Sequence, residues 1–185
     1  MKRTLSILLI TALVTIWTTD SVAGQFVAVD PLNDHDYEQY FEEVYALVAP
    51  DLNSLFALSQ RVELTSAICG EPNAFFDPEG LQIIFCTELL EVMARGLDAS
   101  IDESSQDLAL WAQVYFILAH EVGHALIHLL DLPALGQEED VADQLGSLLM
   151  TNEPIIAMWA ADLWRTMSGL SGGPRLNANA FADTH

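Results

Sequence analysis

Residues 120–124 read His-Glu-Val-Gly-His, and these five residues restrict the fold more than any other part of the chain. Histidines four apart share a face only if the segment is helical, where they lie one turn apart. Two imidazoles so placed can hold one metal ion, and the carboxylate of Glu121 beside the first can reach a water on that ion. A catalytic zinc site takes three protein ligands and keeps a fourth position open. The rest of the chain must therefore bring one more ligand to this face of the helix.

One known solution places a further His six residues after the second, behind a turn that needs Gly. Ile127 stands where that Gly would be and Leu130 where that His would be, so the all-His version is excluded. The other solution is a carboxylate on the next helix. Pro133 and Gly136 break the first helix, and Glu138-Glu139-Asp140-Val141-Ala142-Asp143 follows. The returning helix can pack antiparallel against the first. Glu139 and Asp143 are four apart and share a face: one can reach the metal while the other accepts the N–H of a ligand histidine. Glu138 lines up with Val141, Ala142 and Leu145 on a more core-like face, which makes Glu139 the preferred ligand and Asp143 its supporting partner. For Glu138 and Asp140 the simpler reading is negative charge at a helix N-terminus facing water. Gly123 within the helix costs about 1 kcal/mol against Ala and lets a neighbouring element approach closely.

Hydrophobic spacing fills in the remainder. Tyr37, Tyr40, Phe41, Val44, Tyr45 and Val48 predict a helix over 34–49, stopped by Pro50, with a short second helix over 51–59. Residues 61–69 alternate as a strand and 81–86 suit another, with turn chemistry at 70–73 and 77–80. Helices are predicted over 87–97, from about 105 to 130, and then over 138–150 and 154–167. The pattern is α+β, helix-rich with a small sheet, in one domain.

Lys2 and Arg3, an apolar run from Leu5 to Trp17, and the small residues Ser21-Val22-Ala23 form the pattern of a signal peptide spanning 1–23. That leaves 24–185 as an exported domain, periplasmic or secreted. The run is short for a membrane span of about 20 residues, so no stable membrane association is expected after cleavage. The chain carries 27 acidic and 6 basic side chains; removing Lys2, Arg3 and Asp20 leaves 26 against 4, a net charge of −22 with no lysine. Such a surface repels nucleic acid. Cys69 and Cys86 are an even count in an exported chain, which suggests a disulfide; two buried free thiols are the alternative.

The stretch H-E-V-G-H-A-L, then L-D-L-P-A-L-G-Q-E-E-D-V-A-D-Q-L, resembles a family of exported bacterial putative metallopeptidases with H-E-x-G-H followed by E-E-D-x-x-D-Q. The upstream C-G-E-P-N-A-F-F-D-P and F-C-T-E-L-L, which contain both cysteines, are similar as well, and the likeness runs over about residues 35–185. The resemblance implies a zincin-like domain of the glutamate type, with His120, His124 and Glu139 on zinc, Asp143 supporting a ligand histidine, and a peptide or protein substrate. The family pattern has Tyr at the position of Phe76, so a hydroxyl there is absent. Phe181 to His185 looks like the start of a further family segment, and a C-terminally truncated member is the corresponding expectation.

The chemistry expected is zinc-dependent peptide hydrolysis with Glu121 as general base. The rival is a non-catalytic zincin-like module that binds a partner in the periplasm. His128 lies one turn past His124 and reads as a polar contact on the helix side. The stretch Asn73 to Phe76 reads either as an edge strand facing substrate or as core beside the cysteines. No residue in the sequence identifies itself as the donor to a developing oxyanion.

Overall fold

The structure is a computed structural model that describes residues 24–97, 102–134 and 136–152. The predicted signal peptide and the predicted helix over 154–167 lie outside the described residues.

In chain order the elements are β1 (Phe26–Ala28), α1 (Glu38–Leu55), β2 (Val62–Ala67), β3 (Ala74–Asp77), β4 (Gln82–Cys86), α2 (Thr87–Gly96), α3 (Glu103–Leu130) and α4 (Glu138–Leu149), followed by a 3-10 turn at Met150–Asn152. The four strands form one mixed sheet in the order β1-β2-β4-β3. β1 and β4 run parallel to β2, and β3 pairs antiparallel with β4. The α+β class expected from the spacing is the class observed.

Pro50 does not end the first helix: α1 continues through it to Leu55. An internal proline removes one hydrogen bond and costs about 3 kcal/mol. The loss is offset by burial, because Phe41, Val44, Tyr45, Val48, Ala49 and Leu52 form one continuous buried face across it. Asn53, beyond the proline, exchanges two hydrogen bonds with the main chain of Phe26, at 2.8 and 2.9 Å. A helix broken at Pro50 would give up both this clamp on β1 and the burial of Leu52.

β2 is central and nearly all of its residues are buried. Its polar groups are satisfied: the Tyr45 hydroxyl donates to the Thr65 carbonyl at 2.7 Å and the Thr65 hydroxyl to the Asp30 carbonyl at 2.9 Å. The core lies between the sheet and the helices, where Phe41, Tyr45 and Phe85 meet Leu89, Met93, Leu118, Val122 and Leu126. α3 crosses this core. Asp102 caps its first turn by accepting from the Ser105 amide at 3.0 Å. It ends at Leu130, as the spacing predicts, with Asp131 beyond it in the left-handed conformation (φ 49°).

The cysteines are joined. Cys69, just after β2, is bonded to Cys86 at the end of β4. This cross-link closes the loop from which β3 emerges. The Glu88 carboxylate accepts from the Cys69 and Gly70 amides at 3.2 and 2.6 Å, which fastens the same loop to the first turn of α2.

Candidate metal centre

The site is built where α4 turns back along α3. A Cβ on Gly123 would lie 2.9 Å from the Ala142 Cα, and one on Gly146 would lie 3.1 Å from the His120 nitrogen. Two glycines, one on each helix, therefore let the backbones approach to a distance a larger residue would prevent. Contacts pair His124 with Glu138, Gly123 with Ala142, and His120 with Asp143. The residue numbers rise on one helix as they fall on the other, so the helices are antiparallel.

This approach sets three carboxylates around two imidazoles. His120 Nδ1 is 2.9 Å from Asp143 Oδ1, and His124 Nδ1 is 2.8 Å from Glu138 Oε1. With each Nδ1–H donating to its carboxylate, each Nε2 carries a lone pair. Those two Nε2 atoms are 3.2 Å apart. Glu139 completes the group, with its oxygens 3.2 Å from His120 Nε2 and 3.5 Å from His124 Nε2. Two lone pairs and a carboxylate converging at this distance repel one another unless something positive sits between them. Their donor atoms all lie within 4.8 Å of one another, which fits one small metal ion.

The electrostatics point the same way. Burial pushes the His120 pKa down, but the Asp143 hydrogen bond and the charges of Glu121, Asp143 and Glu139 outweigh it, and the pKa is raised. The pocket is thus one that favours positive charge. Glu121 points away from the solvent and is only 4% exposed. Burial, reinforced by the Glu139 charge and opposed by His120, pushes its carboxyl from an ordinary 4.5 up to about 8. The Phe76 backbone N–H donates to this carboxylate, so the edge strand β3 holds the acid from the opposite side to α4.

A cavity of about 180 Å³ opens between α3, α4 and β3, lined by Glu121, His124, Glu138 and Glu139 on one side and by Phe76 and His128 on the other. Antiparallel pairs alternate between those that exchange hydrogen bonds and those that do not. The Cys86 amide donates to the Asn73 carbonyl at 3.0 Å. With the register Ala74↔Phe85 and Phe76↔Ile83, that phase turns the main-chain groups of Ala74 and Phe76 to the free edge of the sheet, beside the cavity.

Of the residues singled out from sequence, His120, His124, Glu139, Glu121 and Asp143 come together here, and Cys69 and Cys86 form a disulfide elsewhere. Glu138, expected to face water or to line a core-like face, is exposed and is also the hydrogen-bond partner of His124. Among the described residues, one other group has the separations of a metal site, namely Cys69, Cys86 and Glu88. Its sulfurs are bonded to each other and offer no thiolates.

The model of a family described as putative metallopeptidase, DUF4344, matches residues 32–185 of the chain. No curated protein and no solved structure matches it.

Proposed function

The chain belongs to this metallopeptidase family, and from that premise we propose that it is a zinc-dependent peptidase. The observation that carries the reading is the convergence of His120 Nε2, His124 Nε2 and the Glu139 carboxylate beside a buried Glu121. Ligand atoms on a tetrahedral zinc with arms of about 2.0–2.1 Å are separated by about 3.3 Å, close to the 3.2 to 3.5 Å found here. When bound, the ion supplies a Lewis acid and makes a water molecule acidic enough to lose a proton near pH 7.

The residues of the chain divide the remaining work. Asp143 and Glu138 hold the Nδ1 protons, so both Nε2 atoms keep the tautomer and direction a ligand needs. Glu121 takes a proton at its carboxylate and returns it to the leaving amine. With the Ala74 and Phe76 amides already engaged, the free edge of β3 offers its carbonyls, to which the N–H groups of an extended peptide lying beside the cavity would donate. Phe75, Phe76 and Pro78 line the way in and favour apolar side chains there.

Export to an oxidising compartment, periplasmic or extracellular, is supported by the Cys69–Cys86 bond and by the leader-like residues 1–23. Among the described residues no helix is long and apolar enough to cross a membrane. The acidic composition argues against nucleic acid as a partner.

A metal-holding module without catalysis would have no need of Glu121, whose burial is unfavourable and touches no ligand that Asp143 and Glu138 do not already orient. The test is direct. Elemental analysis of the purified chain should find one zinc per molecule, and a mixed peptide library should be cut in a chelator-sensitive way. Glu121→Gln should keep the zinc and lose at least 100-fold in rate. Zinc without turnover in the wild type would favour the binding module instead.

A further inference from the structure

The hydrolysis of an amide builds negative charge on the carbonyl oxygen, and a donor aimed at that oxygen supplies a large share of the rate enhancement. The cavity is poor in such donors. Of its ten lining residues, three are the carboxylates Glu121, Glu138 and Glu139, and five have side chains with no donor at all. The main chain of β3 does not make up the shortage. Its Ala74 amide is taken by the Asn73 side chain at 3.0 Å and its Phe76 amide by Glu121. Among the described residues, Arg61 and Arg95 are each paired with a carboxylate, Glu63 and Glu91, at 3.1 and 3.3 Å, and neither lines the cavity. Only the two histidines of the lining remain, and His124 has both ring nitrogens engaged, with Glu138 and with the Nε2–Glu139 group.

We propose that His128 is a catalytic residue, its ring N–H donating to the scissile carbonyl oxygen as that oxygen takes on charge. The inference deepens the peptidase reading and rests on it. His128 lies one turn beyond His124 on α3, about 6 Å along the axis, and lines the same cavity as Glu121. Its ring is exposed to an incoming ligand and is steadied by Phe76, with centroids 5.7 Å apart and planes inclined by 56°. One strand residue thus braces both halves of the reaction: the Phe76 amide holds the base, and the Phe76 ring holds the donor.

Two ligands distinguish this role from a structural one. An N-acetylated alanyl-alanine phosphinic pseudodipeptide presents a tetrahedral P–O⁻ in place of the amide, whereas acetohydroxamate binds a metal without imitating that geometry. Both are titrated against the full chain loaded with cobalt(II), whose visible spectrum reports ligand binding. His128→Leu should weaken the phosphinic ligand at least tenfold, with acetohydroxamate and the cobalt stoichiometry unchanged. His128→Gln, which keeps an N–H, should recover part of the loss and guards against a folding defect in the leucine variant. Equal affinity of wild type and both variants for the phosphinic ligand overturns the assignment, as does equal weakening of both ligands or loss of cobalt from either variant. A wild-type chain that binds no cobalt and no zinc instead removes the metal reading itself, a different failure from an intact metal site indifferent to His128.

Discussion

At the scale of single residues, Glu121 carries the clearest consequence. Its carboxyl is pushed from about 4.5 up to about 8 by burial, with Glu139 adding to the effect. A raised acid favours the folded state least where the unfolded chain has already released its proton. Below pH 4.5 both states hold the proton and nothing is lost; between 4.5 and 8 the unfolded chain ionises first, so stability falls; above 8 the penalty is complete. In metal-free protein, Glu121→Gln should therefore be more stable than wild type, by a margin that grows from pH 5 to pH 8 and then levels off. Urea unfolding in chelator at several pH values reads that margin, and a constant difference would refute the burial account. Glu138 and Asp143 make a second prediction. Replacing either by Ala should lower zinc affinity 10- to 100-fold, while Asp140→Asn, on the exposed face, should leave it unchanged in a competition titration. Glu138 is also where sequence reasoning fell short. Helical spacing assigns a residue to a face, but Glu138 sits in the first turn of α4, and the direction of such a side chain depends on how the two helices meet.

At the scale of elements, the α3–α4 pair was legible because its signals are local: a four-residue repeat of ligands, a Pro-Gly break and an acidic start to the next helix. Gly123 was read correctly as a point of close approach. What was not legible depends on partners distant in sequence. β1 has three residues, too few for a period, and exists because β2 offers its edge. The sequence of β3 fits an edge strand and core equally, because four residues with two adjacent phenylalanines, Ala74–Asp77, do not alternate in polarity. α1 passes through Pro50 because the sheet rewards the buried face on both sides of it. The glycine contacts give the element-scale prediction. Gly123→Ala should raise intrinsic helix propensity by about 1 kcal/mol, yet destabilise the protein by about 1–3 kcal/mol, since its Cβ would meet the Ala142 backbone at 2.9 and 3.0 Å. It should weaken zinc binding too, because the carboxylates ride on α4. Denaturation and zinc titration of the same variant check both halves; a more stable variant would show that the helices can part at no loss.

At the scale of the whole molecule, the disulfide closes a loop of 17 residues that contains all of β3. Chain-entropy arguments give such a bond about 3 kcal/mol of stabilisation. With a urea dependence of about 2 kcal/mol per molar, reduction should lower the unfolding midpoint by about 1.5 M, and an unmoved midpoint would mean that the strands hold the loop unaided. Among the described residues, a sheet and three helices share a deep common core, and α4 packs along α3 at its flank. Of the residues of α4 only Ala142 and Gly146 are buried, both small. Besides its close packing on α3, the helix presents carboxylates to His120 and His124, and an ion between them would tie it down further, in proportion to the logarithm of free metal over dissociation constant. Starved of metal, the chain should shed α4 first, and a protease should nick the connector around 131–137 long before it reaches the core. With zinc as the proposed occupant of the site, the resistance of that connector to a protease would then rise and fall with the metal supplied.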